Sequence, residues 1–122
     1  NFLLNSEAEM VKLFRNNFLA LKVSFCNEIA EFCRNKNIDY EKVRVQATDD
    51  HRIGTSHSAV PGPDGHYGYG GTCFPKDTKS LLNEMKTIDM NSYIISSMDE
   101  RNDNVDRKEA DWKKNKGRSV VD

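Results

Sequence analysis

The stretch Gly68-Tyr69-Gly70-Gly71-Thr72-Cys73-Phe74-Pro75-Lys76-Asp77 gathers residue types that can do nucleophilic chemistry. Three glycines within four residues let the backbone approach a ligand closely or take up positive φ. Pro75 suits the first turn of a helix, where a missing N–H costs nothing. Cys73 then stands just before a helix N-terminus, where unpaired N–H groups and the helix dipole favour a thiolate. Lys76 adds a positive charge nearby, and together these features make a cysteine a nucleophile near neutral pH. The bland alternative is a buried cysteine beside a glycine turn, and the GYGG run alone does not decide between them.

A second constellation is Lys12 with Asn16, four residues apart and therefore on one face of a helix. An ammonium and an amide on a partly desolvated face could stabilise a developing oxyanion. On an exposed face they would be an ordinary solvated pair. Arg52, in Asp50-His51-Arg52-Ile53-Gly54, could fork onto phosphate or sugar oxygens. Tyr67 and Tyr69 could stack on a ligand or simply pack their loop. His51, His57 and His66 lack metal-ligand spacing, so no metal site is expected. A free-standing thiol enzyme pairing Cys73 with His57 or His66 has no spacing to support it.

These residues need elements to hold them. From Glu7 to Asn35 there is no glycine or proline. Met10, Leu13, Phe14, Phe18, Leu21, Phe25, Ile29 and Phe32 recur at threes and fours, which predicts one long helix. Ser6 with Glu9 would form its capping box. Such a helix is roughly 45 Å long at 1.5 Å per residue. It is either a core helix with one exposed side or a helix that packs against a second subunit. Cys26 and Cys33 fall on its apolar side as inert core residues.

After a break at Asn37–Ile38, Asp39 would cap a second helix running from Tyr40 to about Ala47. The segment from Thr48 to Thr72 has no periodicity. Loops of that length inside compact domains are functional or disordered, and mobility is expected here. A third helix is predicted from Pro75 to about Lys86 and a fourth from Asn91, as cap, to about Asp106. Asn102 to Lys116 is dense in charge and reads as frayed or linking. Ser119, Val120 and Val121 could open a strand.

Composition narrows the class. The 122 residues, 37% apolar and 30% charged, suit one modest, soluble, mostly α domain. A net charge of −1 offers nothing to nucleic acid or to an anionic membrane. No apolar run reaches the roughly 20 residues of a membrane span. Three cysteines without CxxC spacing fit a reducing cytoplasm. The chain opens on Asn1 rather than methionine, which reads as a fragment of something longer.

Taken together, the motifs resemble the UDP-glucose/GDP-mannose dehydrogenase family. The run from Glu9 to Ala20 is similar to the start of that family's central helix, and Asn27-Glu28 to its continuation. Arg52-Ile53-Gly54 is similar to its middle loop, and the run from Gly70 to Asp77 to its cysteine signature. The likeness spans about Ser6 to Asp106.

The resemblance implies a long central helix with shorter packed helices, forming the dimerisation domain of a three-domain dehydrogenase. Residues 1–108 would be that domain. Residues 109–122 would be a linker and the start of a C-terminal nucleotide-binding domain. The family oxidises C6 of a nucleotide sugar twice and reduces two NAD. UDP-glucose is the favoured substrate, and GDP-mannose or a UDP-N-acetyl amino sugar the alternatives. By the same resemblance Cys73 would attack the aldehyde to give a thiohemiacetal, then a thioester that water hydrolyses. Lys12 and Asn16 would stabilise the oxyanion, and Asp77 would position or activate water. Tyr67, Gly68, Tyr69, Gly70 and Gly71 would cradle the sugar. Arg52 would reach the neighbouring subunit's substrate, and Lys76 would lie near the cofactor. No GxGxxG follows a strand here, so NAD would be bound mainly by another domain, and the piece alone would be inactive. From another class, the rival is a purely structural helical dimerisation module.

Overall fold

The computed structural model describes residues 7–108. Four α-helices follow in chain order: α1 (Glu7–Asn35), α2 (Tyr40–Thr48), α3 (Cys73–Thr87) and α4 (Ile94–Arg101). A π-helical turn, Asn102–Asp106, continues directly from α4. The architecture is mostly α, with no strand among the described residues.

Local chemistry accounts for the ends. Glu7 and Glu9 in the first turn of α1 and Arg34 in the last complement its dipole. The helix stops where Asn37 turns left-handed at φ 58°. There the Ile38 N–H reaches the Cys33 carbonyl (2.8 Å) and the Asn37 N–H the Arg34 carbonyl (3.3 Å), the bonding of a Schellman stop. Asp39 then caps α2, its carboxylate accepting from the Glu41 N–H at 3.0 Å. Asp89, at φ 56°, ends α3 in the way that Asn37 ends α1.

Three boundaries differ from the sequence expectation. Helix α3 begins at Cys73, so the cysteine lies in the first turn rather than before it, and Thr72 is the cap residue. Asn91 does not cap α4; Ser92 lies nearest that role, its hydroxyl accepting from the Ser96 N–H at 3.1 Å. The charged segment from Asn102 is not frayed as far as it is described. Its first five residues form the π turn, and Asn102 and Arg107 are each only 1% exposed. The Ser6 cap and the strand at Ser119–Val121 lie outside the described residues.

Helices α3 and α4 and the π turn pack against one side of α1. The buried apolar residues are few, and their central cluster is Ala20, Tyr69 and Met98, with Leu21, Val23, Phe74 and Ile95 against them. Of the large apolar residues that announce α1, only Leu13 is buried, and Phe14, Phe18, Phe25 and Phe32 are 57–66% exposed. The side that packs carries Asn17, Ala20, Ser24, Asn27 and Ala30 instead. Small residues there let the neighbouring backbone come close.

The segment 49–72 is held at several points despite having no regular structure. Lys22 donates to the Ile53 and Gly54 carbonyls at 2.8 and 2.9 Å. The Tyr40 hydroxyl donates to the Ser58 carbonyl at 2.7 Å. Arg44 reaches the Ser58 hydroxyl at 3.0 Å.

Candidate functional site

The two sequence motifs meet where α1 crosses the first turns of α3. Asn16 donates from Nδ2 to Asp77 Oδ2 at 2.6 Å. Asn17, one residue on, donates to the Leu13 carbonyl at 2.9 Å and lies 3.5 Å from the Asp77 carbonyl. The Asp77 carboxylate is buried, so the Asn16 amide satisfies a group that would otherwise be costly to enclose. Cys73 and Asp77 are four apart on α3 and share one face. Cys73 is a free, exposed thiol, whereas Cys26 and Cys33 are buried. Asn16, Asp77 and the Cys73 turn therefore form one group.

Lys12 joins it less closely. Its side chain is 52% exposed and its ammonium sits 3.9 Å from Glu9, so within this chain its face is solvated rather than partly desolvated. Lys76 is likewise mostly exposed, 3.7 Å from Asp77 Oδ1. Arg52 is engaged with Asp50, Nε to Oδ1 at 2.9 Å. It is exposed and does not line the cavity beside α3. That cavity, about 450 Å³, lies between Thr55–His57 on one side and Tyr69, Gly70 and Phe74 on the other.

The glycine loop divides into an anchored half and an open half. Gly68 and Tyr69 are buried, whereas Gly71 is exposed at φ 74°. The Tyr69 ring belongs to the core and meets Phe74 edge-on at 6.2 Å, so it packs the loop and is not free to stack on a ligand. Tyr67 is partly exposed beneath the Arg34 guanidinium, 4.9 Å from its ring centroid.

Residues not singled out from the sequence as site residues do the anchoring. Asn27 accepts from the Gly68 N–H at 3.1 Å. Asn102 both accepts from the Tyr69 N–H and donates to the Tyr69 carbonyl, each at 2.9 Å. Arg107 donates to the Tyr67 carbonyl (2.8 Å), the Gly68 carbonyl (3.2 Å) and Asp64 Oδ2 (3.0 Å). Asn27 left a faint signal, a polar residue in the file of small residues along α1. Arg107 left none, since one arginine in a charged run reads as surface.

Charges beneath the loop follow burial. Burial pushes the Asp106 carboxyl up, and the Arg101 guanidinium at 3.1 Å only partly offsets it. Burial likewise raises Asp99 against the pull of Lys79 at 2.9 Å. At Asp64 burial also acts upward, but the His66 N–H and the Arg107 guanidinium outweigh it and hold the carboxyl below its ordinary range.

Relatives carry the same segment within longer chains. The UDP-glucose 6-dehydrogenase of Pseudomonas aeruginosa is 42% identical over 96 residues, covering 79% of this chain and 20% of the relative. The UDP-glucose 6-dehydrogenase YwqF of Bacillus subtilis is 37% identical over 97 residues, 80% of this chain and 21% of the relative. The structure of a UDP-glucose dehydrogenase from the hyperthermophilic archaeon Pyrobaculum islandicum superposes with a TM-score of 0.65 at 33% identity. That match covers 77% of this chain and 21% of the archaeal one. The chain thus spans about a fifth of the length of the curated relatives it matches. Residues 6–104 match the central domain of the UDP-glucose/GDP-mannose dehydrogenase family, and the chain belongs to that family.

Proposed function

We propose that Cys73 is the nucleophile of a UDP-glucose 6-dehydrogenase, which oxidises UDP-glucose to UDP-glucuronate in two steps with NAD as hydride acceptor. The observation that carries the reading is the 2.6 Å bond from Asn16 to Asp77, which brings the α1 motif to the turn that bears Cys73.

The roles follow from chemistry. The Cys73 thiolate adds to the aldehyde carbon, forming a C–S bond as the carbonyl electrons move onto oxygen. An amide has two N–H donors, so Asn16 keeps one for that oxyanion while the other holds Asp77. Lys12 adds its ammonium from the same face, once another part of the protein covers it. After the second oxidation leaves a thioester, Asp77 orients and deprotonates the attacking water, and the C–S bond breaks to release the thiol. Gly70 and Gly71 offer backbone to the sugar, with Tyr67, Gly68 and Tyr69 behind them, and the exposed Arg52 reaches the substrate of a neighbouring subunit. Lys76 is placed near the cofactor. The described residues contain no strand and no glycine-rich turn leading from one, so they do not fit a dinucleotide by themselves. NAD, which accepts a hydride at each oxidation, is assigned to a domain outside this chain.

The partner of α1 is a second copy, with Phe14, Phe18, Phe25 and Phe32 buried between them. The helical domain is 1–108, and 109–122 leads to the next domain. No described helix is long and apolar enough to cross a membrane, and the reading puts the protein in the cytoplasm.

The test is NAD reduction by the full-length protein with UDP-glucose, wild type against Cys73→Ala. The expected result is turnover that falls about 10³-fold or more in the variant. Turnover retained by the variant would leave the domain a structural module. An inactive wild type would move the substrate to GDP-mannose or a UDP-N-acetyl amino sugar.

A further inference from the structure

The loop before Cys73 lies on the π turn and the residue that follows it, and apart from the Arg107–Asp64 pair the hydrogen bonds between them go to the loop backbone. Arg107 and Asn102 are the largest fully buried side chains among the described residues, and both are polar. Burying a guanidinium is costly unless its donors are met. Here they are met by the Tyr67 and Gly68 carbonyls and by Asp64. Asn102 takes the next residue, Tyr69, by both its N–H and its carbonyl. With Asn27 on the Gly68 N–H, three consecutive peptide units are fixed from three points.

The turn is what lets Asn102 and Arg107 act together. Residues five apart on an α-helix point about 140° away from each other. The wide turn, closed by the Arg107 N–H on the Asn102 carbonyl at 2.8 Å, brings both onto the loop. Gly68 completes the fit. It adopts φ 69°, and a Cβ there would meet the Asn102 side chain and stand 2.8 Å from Asp106 Cβ.

Only Gly70, Gly71 and Thr72 separate Tyr69 from Cys73. A second link is the edge-on contact of the Tyr69 ring with Phe74, which is in the first turn of α3. The Tyr69 ring thus bears on Phe74, the neighbour of the cysteine, which links the place of Tyr69 to that of the Cys73 turn. We propose that Asn102 and Arg107 are positioning residues, which set the place of the Cys73 turn and of the glycine loop by clamping the backbone of Tyr67–Tyr69. This inference rests on the reading of Cys73 as the nucleophile. Misplacement of a reacting group by about 1 Å can cost roughly 10²-fold in rate.

The experiment compares full-length wild type with Asn102→Ala and Asp64→Ala. Hydrogen exchange is followed over residues 64–74, and kcat and KM are measured for UDP-glucose. For Asn102→Ala, exchange over 67–73 should quicken at least tenfold, kcat should fall about tenfold and KM should rise at least about threefold. Partial unfolding alone would lower kcat and leave KM where it was. Asp64→Ala removes the exposed partner of Arg107 together with the Asp64 bond to the His66 N–H, outside the clamped peptides, and should give the same changes over 67–73 at about threefold. It decides the matter if Asn102→Ala does not fold. Unchanged exchange, or unchanged KM in a folded and active variant, overturns the clamp. If the wild type does not oxidise UDP-glucose, that failure belongs to the proposed substrate, and exchange over 67–73 alone decides the clamp.

Discussion

The two faces of α1 have opposite composition and opposite exposure, in the reverse of the usual pairing. The face turned to α3, α4 and the loop is buried, and beside Leu13 and the flanking Leu21 and Val23 it carries Asn17, Ser24 and Asn27 among alanines. The other carries Phe14, Phe18, Phe25 and Phe32, and it is exposed. An amphipathic helix in a self-contained domain places its apolar stripe inward. Here the inward face meets backbone: Asn27 the Gly68 N–H, Asn17 the neighbourhood of Asp77. It holds a loop, while the outward face has surface of the kind that protein partners cover. Packing against the loop explains the division, since amides and small residues admit a loop that phenylalanines would push away.

The largest effect on this comparison comes from Gly68→Ala, which strikes the polar face. The added Cβ is strained at φ 69° and collides with Asn102 and Asp106. Such a backbone costs about 1–3 kcal/mol, and overpacking costs a similar amount again. The expected loss is therefore about 3 kcal/mol. It would be read from exchange of the α1 and α3 amides in the full-length protein, which follows this domain alone. A loss below about 1 kcal/mol would mean that the loop is not seated on the π turn.

Periodicity and breakers made α1 legible to the residue, because Glu7–Asn35 holds no glycine or proline and Asn37 with Asp39 supplies both stop and restart. The meeting of the Asn16 and Cys73 motifs was legible only through resemblance, since no local rule places residues 16 and 77 together. Periodicity marks a stripe but not what the stripe faces, so it gave Phe18 and Phe25 without saying whether they join this chain's own core. The π turn was not legible, because one inserted residue in a short helix leaves no compositional trace. Arg107 was hidden for a related reason: its burial depends on two carbonyls that arrive from a loop some forty residues earlier in the chain.

A smaller effect concerns pH beneath the same polar face. Asp99 and Asp106 have folded-state pKa values raised by burial. A group raised on folding lends its full support below its unfolded value and loses it as pH rises through the folded one. An asparagine mimics the protonated form. Stability of the wild type relative to Asp99→Asn, and separately to Asp106→Asn, should therefore decline as pH rises from the ordinary carboxylate value through the raised one. Urea unfolding of the full-length proteins across that window measures it. A relative stability that climbed instead would mean that Lys79 and Arg101 outweigh burial at these two sites.

The smallest effect on folding is expected on the apolar face, and it tests the other half of the comparison. Phe25 is 63% exposed, and Phe14 stacks on Phe18 with ring centroids 6.4 Å apart at the surface. If the stripe serves only another molecule, Phe25→Glu removes little from the chain's own packing. Exchange of the α1 amides, measured with both proteins diluted to monomers, should then change by no more than about 0.5 kcal/mol. A glutamate opposite its own copy in a two-fold contact would place two desolvated charges together, so association should weaken by orders of magnitude. Sedimentation of the full-length protein separates the outcomes. A variant that sediments as the wild type does, with α1 destabilised, would return the stripe to an internal role and undo the contrast between the faces. A monomeric variant with α1 intact would show that one helix uses its polar side to hold the loop and its apolar side to hold a second copy.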